Sequence, residues 1–327
     1  MQGAQAHWLP DGRRLHLNHG PIDLIVEAFG APNEVRAAYE QAVARFETVL
    51  GELVEELPEL RRPTSLGRPR DFSATTARRM EAAVAPLAEK FLTPMAAVAG
   101  SVADEILAAL VAGRTLERAY INNGGDIALH LATGQEISVA VAGTGHGLAD
   151  RLKVRADDPV RGIATSGWRG RSFSRGIADA VTVLARTGAQ ADAAATVIAN
   201  AVDLPGHEAI ERRPARELAP DNDLCERLVT VGVGDLTFAE IEMALARGAS
   251  AAEDLCRRGL IEAAALFLTG ESRVCGRFGL GPLGSADKAS SHSVQHPSSD
   301  LASRGHLLPQ GEKGERYRIV SANLQHW

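Results

Sequence analysis

The chain has 327 residues, of which 45% are hydrophobic and 23% charged, the balance of a globular protein and not of a disordered one. Thirty-five Lys and Arg against 41 Asp and Glu give a net charge of −6, and aromatic residues make up only 4%, which argues against a nucleic-acid partner held by charge or by base stacking. No apolar run approaches the ~20 residues of a membrane span, Met1 to Trp8 lacks the basic and apolar regions of a secretion signal, and Cys225, Cys256 and Cys275 form no C-x-x-C pair, so a cytoplasmic protein with no membrane partner is expected.

Trp8 to His19, with the turn residues Asn18 and Gly20, reads as a hairpin-like start, and Pro21 to Val26 continues as a strand. Beyond Pro32-Asn33 the apolar residues Val35, Tyr39, Ala42, Phe46, Val49, Leu53 and Leu57 recur at three and four, which predicts one long helix stopped by Pro58. A second helical stretch around Met80, Val84, Leu87 and Phe91 contains Pro86, which must kink or end it. A third, Met95 to Val111, has small residues at Ala99, Gly100 and Ser101, where another backbone or a ligand can come close.

β-rich runs then replace helices at 119–121, 127–131, 137–141 and 180–184. Thr187 to Gln190 has the form of a capping box and opens a helix to about Ala201; Thr237 to Glu240 and Ser250 to Glu253 are expected to open two more, ended by Gly259 and Gly270. Helices, then a sheet, then helices argue for an α+β domain spanning 1–271. From Ser272 to Trp327 nine Ser, seven Gly and three Pro predict a disordered tail, so that a chain ending at Glu271 should keep its thermal midpoint. That segment carries seven Lys or Arg and four Asp or Glu, which leaves 28 basic and 37 acidic residues in the body. His292, His296 and His306 in the tail match no metal-ligand spacing.

Several segments could carry chemistry. Asn122-Asn123-Gly124-Gly125-Asp126 reads as a tight hairpin turn, or as a turn whose glycine amides meet a ligand while the Asp orients it. The run from Thr165 to Gly176 concentrates hydroxyls, glycines and Arg169, Arg171 and Arg175, a composition suited to phosphate oxygens or to a solvated loop; it lacks the ending of a Walker A loop. Gly143 to Gly147 follows a strand without a clear helix after it, so it is not read as a dinucleotide fingerprint. Asp192 and Thr196, four apart on one helix, present two oxygens on one side, a donor type that suits Mg²⁺; a solvent-facing Asp is the alternative. No Ser-His-Asp or Cys-His assembly emerges, and no catalytic residue is assigned.

In this order, four blocks resemble the ApbE-like superfamily, whose best-known members are FAD:protein FMN transferases. The blocks are Gly100 to Asp104, Tyr120 to Ile127, Ala164 to Gly167, and Val181-Thr182-Val183 followed by Ala191 to Thr196, within a similarity from about Phe91 to Asn200. The resemblance implies a T-fold-related α+β domain with a central, mainly antiparallel sheet packed by helices. It implies Mg²⁺ held by Asp192, Thr196 and the carbonyl of Ala96, and FAD or FMN as ligand or substrate. The nucleotide site would be lined by Asn122, Gly124, Gly125, Asp126, Thr165, Ser166 and Gly167, gathered in one pocket. Two departures stand out. Thr93 and Ala99 occupy the positions of the family's flavin-binding Asp and of its Lys, and 173–179 replaces the family's His-x-x-Asp-Pro-x-Thr-Gly run. The function expected is therefore binding of a flavin nucleotide with Mg²⁺, with FMN transfer or FAD pyrophosphate cleavage, and a protein acceptor as partner. A nucleotide carrier without transfer chemistry, or a structural partner of another enzyme, stays open beside it.

Overall fold

The computed structural model describes residues 3–140 and 151–276. β1 (Gln5–Trp8), β2 (Leu15–His19) and β3 (Ile22–Gly30) form an antiparallel meander, as the N-terminal pattern predicts. α1 (Pro32–Glu55) opens on a proline, which needs no amide there, and lays Tyr39, Ala42, Phe46, Val49 and Leu53 on its buried side. α2 (Leu57–Leu60) is a single turn. α3 (Thr75–Val84) ends in a 3-10 turn holding Pro86, so the proline terminates this helix and does not kink it. A second 3-10 turn, Pro94–Ala97, leads into α4 (Val98–Val111).

β4 (Leu116–Asn123) and β5 (Asp126–Leu131) make a hairpin, and β6 (Glu136–Ala140) pairs with β7 (Arg151–Arg155) as a separate ribbon. β8 (Gly162–Ser166) and β9 (Ala180–Ala185) return to the main sheet, followed by α5 (Gly188–Ala201). β10 (Ile210–Pro214), α6 (Ala215–Leu218) and β11 (Leu228–Val233) form a small excursion before α7 (Phe238–Arg257), β12 (Ala263–Leu268) and β13 (Glu271–Gly276). The nine-stranded sheet runs β1-β2-β3-β4-β5-β8-β9-β12-β13, every pairing antiparallel. The expected α+β class with a large antiparallel sheet is what the chain adopts.

The register puts Ile121, Ala128, Ala164, Val183 and Ala264 on one face, where α1, α4, α5 and α7 pack. The opposite face carries Tyr120, Leu129, Ile163 and Leu184 and is covered by the β6–β7 ribbon through Ile137, Val139, Leu152 and Val154. By length and composition Pro94–Val111 is long and apolar enough to cross a bilayer, which corrects the expectation that no run approaches that length; half of it is buried inside the protein, where it packs on α1, α5 and the sheet as a core helix does.

Four expectations need correction. Ser250 opens no helix, because α7 runs through it unbroken; only the box at Thr237 and Glu240 forms. The expected last helix is instead β12, whose turn Thr269-Gly270 joins it to β13. The ordered body accordingly passes Glu271, and six residues of β13 pair with β12. At α5 only half of the expected box exists: Thr187 accepts from the Gln190 amide, while Gln190 Oε1 has no partner among the described residues. The Gly143 to Gly147 run and residues 277–327, with His292, His296 and His306, lie outside the described residues.

Candidate functional site

The site is built where two helix starts meet the ends of β4, β5 and β8. α4 and α5 cross at Gly100 and Gly188, and a Cβ on Gly100 would sit 2.2 Å from the Gly188 carbonyl oxygen, so only glycine lets the backbones touch. Each helix then caps the other. Asp104 on α4 accepts from the amides of Gly188 (2.9 Å) and Ala189 (2.8 Å), and Asp192 on α5 accepts from the amide of Gly100 (2.9 Å). Both carboxylates thus satisfy amides that a helix start leaves unpaired and meet the positive end of its dipole.

Asp126 joins them from the sheet. Strand alternation places it with Asn123 and Ala128 on the helix-bearing face, and its Oδ1 accepts from the Thr165 amide at 3.2 Å. Burial pushes the Asp126 carboxyl up, partly offset by that amide and by the Arg171 guanidinium. Asp192 is also pushed well up, by burial first and then by the charge of Asp126, against the pull of the Gly100 and Ala99 amides. A buried carboxyl raised further by the charge of a second buried carboxyl is a place where a cation would be favoured.

The β4–β5 turn has Gly124 at φ 64° and Gly125 at φ 117°, left-handed as a tight hairpin requires, with the Gly125 amide donating to Asn122 Oδ1 at 2.8 Å. Arg171 lies over it: a Cβ on Gly124 would fall 1.4 Å from Arg171 Nη2. The segment is therefore the tight hairpin turn of the first reading, and it faces a guanidinium. Asn123 Nδ2 donates to the Ala99 carbonyl at 3.1 Å and ties the hairpin to α4.

The residues singled out from sequence divide in two. Asp126, the Gly124-Gly125 turn and Asp192 are linked, through Arg171 beside Gly124 and Asp126 and through the charge of Asp126 on Asp192. Asn122 and Thr165, by contrast, have their side chains on the opposite face: Asn122 pairs with Ile127, and the Thr165 hydroxyl meets that of Thr182 at 2.9 Å, so only the Thr165 main chain serves the cleft. Gly167 has a packing reason of its own, since a Cβ there would lie 2.4 Å from the Asp179 carbonyl oxygen. Ala96 sits in the 3-10 turn packed on α5, and its side chain rests on the core between them. The half-buried Thr196 makes no hydrogen bond among the described residues. Asn123 and Asp104 were missed, although alternation along β4 and the four-residue step from Gly100 to Asp104 mark both.

Among the described residues no group of three or more His, Cys, Asp or Glu is placed to hold a metal. A cation here would rely on oxygen of mixed kind: the Asp192 and Asp126 carboxylates, the Thr196 hydroxyl and a main-chain carbonyl. That donor set suits a hard divalent cation. Thr93, where the resemblance expects an Asp, bonds through its hydroxyl to Asp223 from the loop before β11. In a separate open depression of about 550 Å³ the lining residues Arg45, Glu52, Glu56 and Glu105 already have partners. Arg45 holds Glu52 and Glu105, and Glu56 accepts from the Ser73 and Ala74 amides at the start of α3.

A family model described as AbpE bacteria matches residues 6–274. The UPF0280 protein of Methanopyrus kandleri is 37% identical over 140 residues, covering 42% of this chain and 55% of that protein. The UPF0280 protein of Methanothermobacter thermautotrophicus is 38% identical over 146 residues, covering 43% and 55%. The chain spans about half the length of the curated relatives it matches. Among solved structures, the apo flavinyl transferase ApbE of Pseudomonas stutzeri superposes over 84% of this chain and 96% of its own at 13% identity and a TM-score of 0.39. The ApbE protein of Thermotoga maritima does so over 72% and 98% at 12% identity and a TM-score of 0.38.

Proposed function

From the footing that this chain belongs to the AbpE bacteria family, we propose that the cleft between the Gly124-Gly125 turn and the crossing of α4 and α5 binds a flavin nucleotide, FAD or FMN, together with Mg²⁺. The observation that carries the reading is the approach of Asp126 to Asp192 beside two glycine amides and a guanidinium. A negatively charged diphosphate alone would be repelled by two carboxylates. A divalent cation between carboxylates and phosphates turns that repulsion into attraction.

Asp192, Thr196 and the carbonyl of Ala96 would hold the cation, with Asp126 as a second carboxylate. Bound there, Mg²⁺ would neutralise pyrophosphate charge and favour departure of its leaving group. This chain's own residues bind and orient: the α4 amides keep Asp192 aimed, the Thr165 amide fixes Asp126, and Arg171 faces the turn. Calorimetric titration with FAD, with and without Mg²⁺, tests the reading. Binding that needs Mg²⁺ supports it, and no binding in either condition overturns it.

A second reading is nucleotide binding without FMN transfer to a protein acceptor. It is favoured by Thr93, whose hydroxyl is already bonded to Asp223, and by Ala99, which has no amine to offer. Release of AMP and FMN from FAD in the presence of Mg²⁺ separates the two: product formation makes the protein an enzyme, and binding without product makes it a carrier. Either outcome has its counterpart in partners, a protein acceptor in the first and a flavin-using enzyme in the second.

A further inference from the structure

The loop from Gly167 to Gly176 ends beside α5, at the opposite end of the helix from its capped start. The Arg175 amide donates to Asn200 Oδ1 at 2.7 Å. Asp192, Thr196 and Asn200 are spaced by four and all half-buried, so they form one stripe along α5. Asn200 lies about 12 Å along the axis from Asp192, at ~1.5 Å per residue. Arg175 thus stands about two helical turns further along α5 than Asp192.

Its surroundings are cationic. Arg212 from β10 donates to the Arg175 carbonyl and to Asp203, and Arg227 stacks on the Phe91 ring at 3.2 Å from its centroid. The Arg175 guanidinium itself is half-buried and makes no hydrogen bond or ion pair among the described residues. Asp203 is shared with Arg212, and Asp223 is bonded to Thr93. A body of net negative charge has gathered three arginines here with too few carboxylates to match them. Burial, then the like charges of Arg227 and Arg212, pull the Arg175 guanidinium below its ordinary value, and Asp203 offsets this only in part. Guanidinium groups stay charged in proteins, so such crowding is relieved by an anion.

We propose that Arg175, backed by Arg227 and Arg212, is an anion subsite that takes a phosphoryl group, either the phosphate end of a nucleotide or free pyrophosphate. The planar fork of Arg175 offers paired donors to phosphate oxygens, and Arg227 is held in place by its ring. The proposal depends on the nucleotide reading only for the identity of the molecule that carries the phosphate.

The test is calorimetric titration of the full chain in EDTA with inorganic pyrophosphate, with AMP, and with adenosine as the phosphate-free probe. The unmodified protein is expected to bind pyrophosphate or AMP and not adenosine. Tighter AMP binding identifies a nucleotide, and tighter pyrophosphate binding a free phosphate. Arg175→Gln and Arg227→Gln should each weaken phosphate binding at least tenfold. Arg186→Gln, at the far end of β9 and paired with Glu262, should leave it unchanged. Absence of phosphate binding, an unaltered affinity in Arg175→Gln and Arg227→Gln, or an equal loss in Arg186→Gln each overturns the proposal. Thermal melts check folding, and should Arg175→Gln fail to fold, the affinity of Arg227→Gln decides between the outcomes. No metal or flavin is present, so failure here is separate from failure of the Asp126–Asp192 reading.

Discussion

At the scale of single residues, Asp192 carries two loads that can be told apart. It accepts from the Gly100 amide, and it is the expected cation ligand. Asp192→Asn keeps an oxygen to accept that amide and removes the charge, so the melting midpoint should hold or rise while Mg²⁺-dependent FAD affinity falls at least tenfold. Equal affinity in paired titrations would reduce Asp192 to a helix cap. Glu27 behaves differently. Its side chain is 1% exposed, Oε2 accepts from the Tyr120 hydroxyl at 2.9 Å, and Oε1 has no hydrogen-bond partner among the described residues. Burial raises its carboxyl above the ordinary value, with Tyr120, Arg13 and Arg14 pulling the other way. A raised acid favours folding while protonated, so its contribution is complete below the usual carboxylate range and is lost as pH rises through the raised value. Glu27→Gln cannot ionise. Its stability relative to the parent should therefore be greater at pH 8 than at pH 4. Urea unfolding at the two pH values reads this difference, and a constant offset would refute it. Asp192 and Thr196 were legible as a pair from their spacing, whereas Glu27 was not, because nothing in a sequence says which side of a two-sided sheet is covered.

Elements were legible where a period or a stop signal was strong. α1 shows its three-and-four repeat and its proline start, and α3 its proline end. β12 was not, since Ala263–Leu268 is buried at every position and has no β-branched residue. A run apolar on both sides carries no period, and its Ala and Leu suit a helix equally well. Taking it for a helix places the end of the body too early. A chain ending at Glu271 lacks nearly all of β13, unpairs one edge of β12 and exposes the core around the buried Cys275, so its midpoint should drop by at least about 5 °C, consistent with a few kcal/mol. A chain ending at Gly276 retains the whole strand and should melt close to the parent. Should the two melt alike, β13 contributes nothing. The α4–α5 crossing makes a sharper claim. Gly100→Ala forces a methyl to within 2.2 Å of a carbonyl oxygen that belongs to backbone, so the helices must separate. Destabilisation of about 2 to 4 kcal/mol, toward the high end for overpacking, should appear in denaturant unfolding. Flavin affinity should fall with it, because the Gly100 amide leaves Asp192.

For the whole molecule, nine strands in one antiparallel order place β1 and β13 at opposite edges and the cleft near the middle. The class of fold could be read from helices flanking a β-rich middle third. The gathering of Asp126, Asp192 and Arg171 could not, because it depends on β5 pairing with β8 and on α5 returning across them, and neither follows from the local pattern of residues 126, 171 or 192. The mutual capping of α4 and α5 also governs time. Gly188 meets Asp104 across 84 residues, and Gly100 meets Asp192 across 92. Closing such spans costs chain entropy that nearby hairpins do not face, so this crossing should assemble after the folding barrier has been passed. A ligand seated on it would then leave the refolding rate unchanged and slow unfolding alone. Stopped-flow refolding and unfolding with saturating FAD and Mg²⁺ should show one limb of the chevron displaced and the other fixed. The protein would acquire its lifetime from its ligand, and its speed of folding from the chain alone.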